Sequence, residues 1–199
     1  IGSDAFVNCS NLKKIKLSDK LETIKSYAFR GCSKLTEIDL PNSLKTIEAG
    51  AFLNCTGITE LTIPDSVTSI GNGALRGMTS LEKLTVPFVG KSRTAYYYEA
   101  VLGYVFGYSY VAGTKYGPRS QSFVNVKEGT VEGATWQYSC YYKDIVYVSR
   151  AYIESYYYYI PESLRSVTVT DSTIIRSAAF NNCRNLTEIN LNEGITVIN

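Results

Sequence analysis

Two runs of tyrosine, Tyr96-Tyr97-Tyr98 and Tyr156-Tyr157-Tyr158-Tyr159, are the densest concentration of functional groups in this chain. A tyrosine side chain joins a rigid apolar ring to a polar tip, and antibody loops use the mixture of Tyr, Ser and Gly for contact for that reason. The chemistry such residues offer is recognition of a protein or a glycan, without bond making. In a strand, successive residues face opposite sides, so each run exposes rings on at least one face unless both faces are covered. Trp136, Tyr141 and Tyr142 lie in the same tyrosine-rich stretch and complete the candidate ligand-binding set. The competing reading is that these rings, which favour strands, pack over the rest of the fold.

Catalytic chemistry has few residues to work with. Histidine is absent, which removes Ser-His-Asp and Cys-His nucleophile systems, HExxH zinc sites and any imidazole acid or base. An enzyme would have to rely on Tyr, Lys, Cys140 or paired carboxylates, so the chain reads as non-catalytic, with no cofactor and no metal site. Glu37, Asp39 and Glu60 could be imagined as a Ca²⁺ or acid–base cluster, but no metal-loop spacing supports it. Twenty Lys and Arg against eighteen Asp and Glu give a net charge of +2. Neither a nucleic-acid partner nor an anionic membrane surface is favoured by that balance. No apolar run reaches the length of a membrane span.

Five cysteines raise the question of disulfides, but Cys9, Cys32, Cys55 and Cys183 share one position of a repeat and read as inward-facing thiols, while Cys140 stands alone. Asn8-Cys-Ser, Asn54-Cys-Thr and Asn185-Leu-Thr fit the N-glycosylation pattern. In the first two, the turn itself needs the Asn, so the match is read as a by-product of the repeat.

The elements that must position these residues follow from a period of 23. Phe6, Phe29, Phe52 and Leu75 are spaced by it, as are Ile1, Ile24, Ile47 and Ile70, and Cys9, Cys32, Cys55 and Met78. The phase returns at Ile175, Phe180, Cys183, Leu186, Ile189, Leu191 and Ile198, with Leu164, Val167 and Val169 forming the strand part of the preceding coil. In Leu35-Thr-Glu-Ile-Asp-Leu40 the alternation puts Ile38 and Leu40 on a dry face and Glu37 and Asp39 on a wet one. Pro41, Pro64 and Pro87 end each strand, with Ser18 and Asn192 as substitutes. The residue before each Cys position is Asn8, Gly31, Asn54, Gly77 or Asn182. These types adopt φ > 0 cheaply, so a single helical turn closed by a left-handed residue is expected there. A coil of this kind cannot bury both of its broad faces alone, so coils stack into a right-handed parallel solenoid. The wet strand row, which includes Lys14, Glu37, Glu60, Lys83 and Glu188, is expected to form cross-strand charge pairs on a concave face.

The string running from Ile24 through Ala28-Phe29, Cys32, Leu35, Ile38, Leu40-Pro41 and Leu44 to Ile47 resembles the BspA-type leucine-rich repeat. The resemblance covers residues 1–87 and 164–199. It implies an α/β leucine-rich-repeat solenoid of strand plus short helical turn, with no catalysis in the motif. It also implies a surface or secreted protein of anaerobic bacteria or mucosal protists, adhering to host proteins or other cells. An extracellular protein or glycan partner is expected on that basis, and a passive spacer in a larger surface protein is the alternative.

Between Val86 and Leu164 the period disappears, and sixteen of the seventeen Tyr and the single Trp fall there. The expected organisation is therefore repeats over 1–87, a Tyr-rich β-containing insertion over 88–163, and repeats resumed over 164–199. Phe123–Val126 with a turn at Glu128-Gly129 reads as one hairpin, and Trp136–Tyr142 with Ile145–Val148 as another. Neither end shows a cap, so further coils or another domain are expected beyond both.

Overall fold

A computed structural model describes residues 1–96, 99–111, 134–143 and 152–199, with backbone pairing alone for the strand residues 108–111, 134–143 and 152–157. The first coil carries β1 (Lys14–Ile15) and β2 (Thr23–Ile24), the second β3 (Glu37–Ile38) and β4 (Thr46–Ile47), the third β5 (Glu60–Thr62) and β6 (Ser69–Ile70). The fourth opens with β7 (Lys83–Val86). The insertion follows with α1 (Gly103–Phe106), β8 (Tyr108–Val111), β9 (Ala134–Lys143) and β10 (Tyr152–Pro161). The repeat resumes with β11 (Ser166–Val169), β12 (Ile174–Ile175), β13 (Glu188–Leu191) and β14 (Val197–Ile198).

The strands form two rows of parallel ladders. In the first row β1 pairs with β3, and β5, β7, β11 and β13 run side by side. In the second, β2, β4 and β6 pair in order, as do β12 and β14. Register follows the period: Ile15 lies opposite Ile38, Leu61 opposite Leu84, and Ile24 opposite Ile47. The dry-face residues Leu61, Ile63, Leu84, Val86, Val167 and Val169 are buried in one core with Ile24, Ile47 and Ile70. Inside the same core Phe6, Phe29 and Phe52 stack with ring centroids 5.2 and 5.4 Å apart and planes within 5°. Parallel stacking of this kind follows from identical residues repeating at one height in every coil. Prolines act as expected: Leu44 N–H donates to Pro41 O at 2.9 Å and Val67 N–H to Pro64 O at 3.0 Å, closing the corner that each proline opens.

The segment between corner and next strand departs from the expected helical turn. In the second coil, Ala28 N–H donates to Lys25 O, Arg30 N–H to Tyr27 O and Cys32 N–H to Phe29 O, at 3.2, 3.0 and 3.1 Å. These are three linked β-turns. The residue before each Cys position is left-handed as predicted, with φ of 59° at Asn8, 74° at Gly31, 61° at Asn54, 74° at Gly77 and 58° at Asn182. A second left-handed residue precedes it in every coil: Asp4, Tyr27, Gly50, Gly73 and Ala178, with φ between 58° and 63°. Each of the two sits third in its β-turn, where a type II turn needs positive φ, and two of them within five residues prevent a helix.

The insertion interrupts the second row, where β6 and β12 lie in separate ladders, but not the first. β7 pairs directly with β11, Leu84 opposite Val167 and Val86 opposite Val169. On the turn side α1 takes the place of the missing coil. Gly73 N–H donates to Tyr104 O at 3.0 Å and Leu75 N–H to Val105 O at 2.8 Å, while on the other side Leu102 N–H donates to Ala179 O at 2.8 Å. All four residues of α1 are buried. From Gly107, at φ 87°, the chain enters an antiparallel sheet in the order β8-β10-β9. The Trp136–Tyr142 strand is present within β9. Its partner is β10, over ten residue pairs from Tyr152 opposite Lys143 to Pro161 opposite Ala134. The segment Ile145–Val148 and the Phe123–Gly129 hairpin lie outside the described residues.

Candidate recognition surface

The tyrosine runs are divided by the fold. Tyr156, Tyr157, Tyr158 and Tyr159 occupy β10, the middle strand of the antiparallel sheet, so its backbone is hydrogen-bonded on both sides. Pairing sets Tyr157 opposite Tyr138 and Ser109, Tyr156 opposite Ser139 and Tyr110, and Tyr159 opposite Trp136. Tyr141 and Tyr142 lie opposite Glu154 and Ile153. Tyr97 and Tyr98 fall outside the described residues.

Tyr158 and Tyr159 are core residues. Their relative exposures are 0% and 6%, and the following Ile160 is at 2%. Three consecutive strand residues buried together means that both sheet faces are covered at this end, the condition under which alternation no longer forces a ring into solvent. The cover comes from α1 and the fourth coil: Tyr159 N–H donates to Gly107 O, at the end of α1, at 3.1 Å, and the Arg76 guanidinium lies 4.9 Å from the centroid of the Tyr159 ring. These two rings join the sheet to the stacked coils, which corrects the expectation that they face a ligand.

Tyr96 is different. It is 56% exposed, and the Arg176 guanidinium stacks over its ring at 3.9 Å. The pair joins the start of the insertion to the turn after β12. Arg176 Nε is enclosed without a hydrogen-bond partner. Arg76 and Arg176 were not candidates in the sequence, because nothing in their local surroundings marks them. Both are brought to the insertion by the stacking of distant coils.

Arg93 lines the same small cavity as Arg176, with Ser92, Ala95, Ser172 and Phe88. Its donors are engaged. Nη1 donates to Val67 O at 3.0 Å, Nη2 to Asp65 O at 2.7 Å, and Nε to Asp171 O and Oδ2 at 3.1 Å each. Its guanidinium also lies 5.2 Å from the Phe88 centroid.

The wet strand row carries charge pairs between neighbouring strands. Lys14 Nζ lies 2.9 Å from Glu37 Oε1 and Lys83 Nζ 2.7 Å from Glu60 Oε1. The hydrogen bond from each ammonium to its carboxylate holds the lysine's pKa above the ordinary value. Glu188 is shifted the other way, its carboxylate stabilised by hydrogen bonds from Asn190 and Ser166. Glu37, Asp39 and Glu60 border an open groove of about 460 Å³. Among the described residues no group of three His, Cys, Asp or Glu is placed to hold a metal ion, and no helix is long and apolar enough to cross a membrane.

The cysteine position is structural in the inner coils. Cys32 and Cys55 are buried free thiols. Cys32 Sγ donates to Phe6 O at 3.2 Å and Cys55 Sγ to Phe29 O at 3.1 Å, so each thiol ties its coil to the preceding turn. Burial pushes the Cys55 thiol up to about 12. Cys183 is half-buried and pushed up to about 12 by burial as well. Cys9, in the first coil, is exposed rather than buried.

Parallel ladders at a 23-residue register, a shared apolar core and repeated turns define a leucine-rich-repeat solenoid. The family model for the BspA type Leucine rich repeat region matches in six copies over residues 1–99 and 139–199, and the chain belongs to that family. A search of curated proteins gives no match. Among solved structures, a T. pallidum leucine-rich repeat protein, TpLRR, is similar at 18% identity and a TM-score of 0.49, covering 100% of this chain and 65% of that one. The pneumococcal vaccine antigen PcpA is similar at 22% identity and a TM-score of 0.44, covering 98% of this chain and 38% of that one. A leucine-rich repeat protein from Bacteroides ovatus ATCC 8483 gives 19% identity and a TM-score of 0.34, covering 100% and 65%. The chain thus spans less than two thirds of each of these proteins.

Proposed function

We propose that this chain is a non-catalytic recognition module of a cell-surface or secreted protein. In this reading the solenoid is a rigid scaffold, and the Tyr-rich insertion presents a contact surface for a host or matrix protein or a glycan. The observation that carries it is Tyr96, a large ring left mostly in solvent on the insertion while a guanidinium fixes its position. Holding the ring before binding lowers the entropy lost on contact. Membership of the BspA-type family supports the extracellular setting.

The test is binding of the chain to an array of mucin-type glycans and extracellular-matrix proteins, beside a Tyr96→Ser variant with an equal melting temperature. Saturable binding by the parent that the variant loses supports the proposal. Equal binding by both removes Tyr96 from the site.

A second reading, a passive spacer in which the insertion is a lateral brace, draws on the burial of Tyr158 and Tyr159 against the solenoid. Binding by neither protein on the array favours that reading.

A further inference from the structure

Two described cations near Tyr96 are paired with carboxylates. Lys91 Nζ lies 2.7 Å from Glu99 Oε1, and Arg93 Nη2 bonds the Asp171 carboxylate. Arg176 shares a cavity wall with Arg93, yet no carboxylate or carbonyl among the described residues accepts from it. The contact it makes is with the face of Tyr96. Its Nε is buried without an acceptor, an arrangement that ordinarily costs free energy. The cavity that Arg176 lines measures about 10 Å³, close to the minimum for one water molecule and too small for an oxyanion. An incoming anion therefore meets the outer, Nη edge of the guanidinium, whose planar fork suits two oxygens of one group.

We infer that Arg176 is the anion-reading half of the surface proposed above, and that the Tyr96–Arg176 pair takes the carboxylate or sulfate of an acidic saccharide. The inference rests on the recognition reading and adds the ligand's chemistry to it. One guanidinium with no acceptor among the described residues, beside one exposed ring, matches a single acidic sugar, its oxyanion on the fork and its C–H face against the phenol. An acidic peptide would call for a line of several donors, and the neighbouring cations Lys91 and Arg93 are already taken.

The probes are sialyllactose, 6-sulfo-lactose, neutral lactose and a hexaglutamate peptide, titrated against the parent chain, Arg176→Gln and Arg176→Lys by calorimetry. The expected result is that one or both acidic saccharides bind at least roughly tenfold tighter than lactose, that Arg176→Gln removes this margin, and that Arg176→Lys keeps part of it. The two acidic arms tell carboxylate from sulfate. If Arg176→Gln lowers the melting temperature, Arg176→Lys carries the comparison, because it keeps the charge and loses the fork. Lactose binding as tightly as the acidic sugars overturns the inference, as does an undiminished margin in both variants. Stronger binding of hexaglutamate also overturns it, in favour of a peptide. If these probes fail while the array finds a Tyr96-dependent ligand, the inference falls and the recognition reading stands.

Discussion

Arg93 and Asp171, 78 residues apart, form an ion pair that joins the start of the insertion to the first corner of the resumed repeat. The same guanidinium donates to the carbonyls of Val67 and Asp65 in the third coil, and the Thr170 hydroxyl bonds the Asp65 carboxylate. Three corners that are distant in sequence are thereby held by one side chain. The carbonyl bonds and the charge pair can be separated by mutation. Arg93→Ala strips three backbone carbonyls, of Val67, Asp65 and Asp171, of a donor and should cost on the order of 2 kcal/mol. Asp171→Asn removes a half-exposed charge and should cost under about 1 kcal/mol. Urea denaturation of both variants checks the order; a larger loss in Asp171→Asn would make the ion pair the dominant tie.

Phe52→Ala should cost about 3–5 kcal/mol. Phe52 is fully buried and stacks on Phe29 at 5.4 Å, so truncation leaves a cavity with coils on both sides. Phe6→Ala, in the first coil and half-buried in this chain, should cost visibly less. Equal losses at the two positions would show that the coils relax around the cavity.

Gly77 faces Asn54 across neighbouring coils. A Cβ on Gly77 would stand 2.1 Å from Asn54 Oδ1, and Gly77 has φ 74°. Gly77→Ala therefore meets a backbone penalty of about 1–2 kcal/mol and a collision. The collision, unlike the penalty, should vanish in an Asn54→Gly background. A double-mutant cycle with no coupling would place the whole cost in the backbone. Asn54→Val should also lower the melting temperature, because a β-branched residue is forced into the left-handed region.

Thiol labelling separates the cysteines. In a Cys140→Ser background, iodoacetamide at pH 8 should modify Cys9 and leave Cys32 and Cys55 intact until the protein unfolds. The pH dependence has a definite sign. The Cys55 thiol ionises near 9 when unfolded and at about 12 when folded, so above pH 9 the unfolded chain holds fewer protons and stability falls as pH rises. Stability at pH 10 should therefore lie below that at pH 8, and Cys55→Ala should reduce the difference.

The repeat was legible because its signals are local and recur at one spacing. Asn8, Gly31, Asn54, Gly77 and Asn182 announce a left-handed residue by type, and all five have one. The second left-handed position was not legible, since Asp4, Tyr27 and Ala178 share it with Gly50 and Gly73. There the stacking imposes the conformation on residues that do not prefer it. At Tyr27 the ring fills the space beside Gly50, where a Cβ would stand 2.4 Å from its Cε1. Tyr158 and Tyr159 carried a strand signal and no burial signal, because their cover comes from Arg76 and α1, remote in sequence. Arg176 shows the same limit: its meeting with Tyr96 depends on how β12 is placed, which no short-range pattern encodes.

The direct pairing of β7 with β11 has a mechanical consequence. Tension applied along the stack passes through this row by its parallel hydrogen bonds, and on the turn side through α1, which is bonded to the coils on either flank. The excursion beyond α1 lies off both paths, so it can lengthen, shorten or change sequence while the rod keeps its tensile strength.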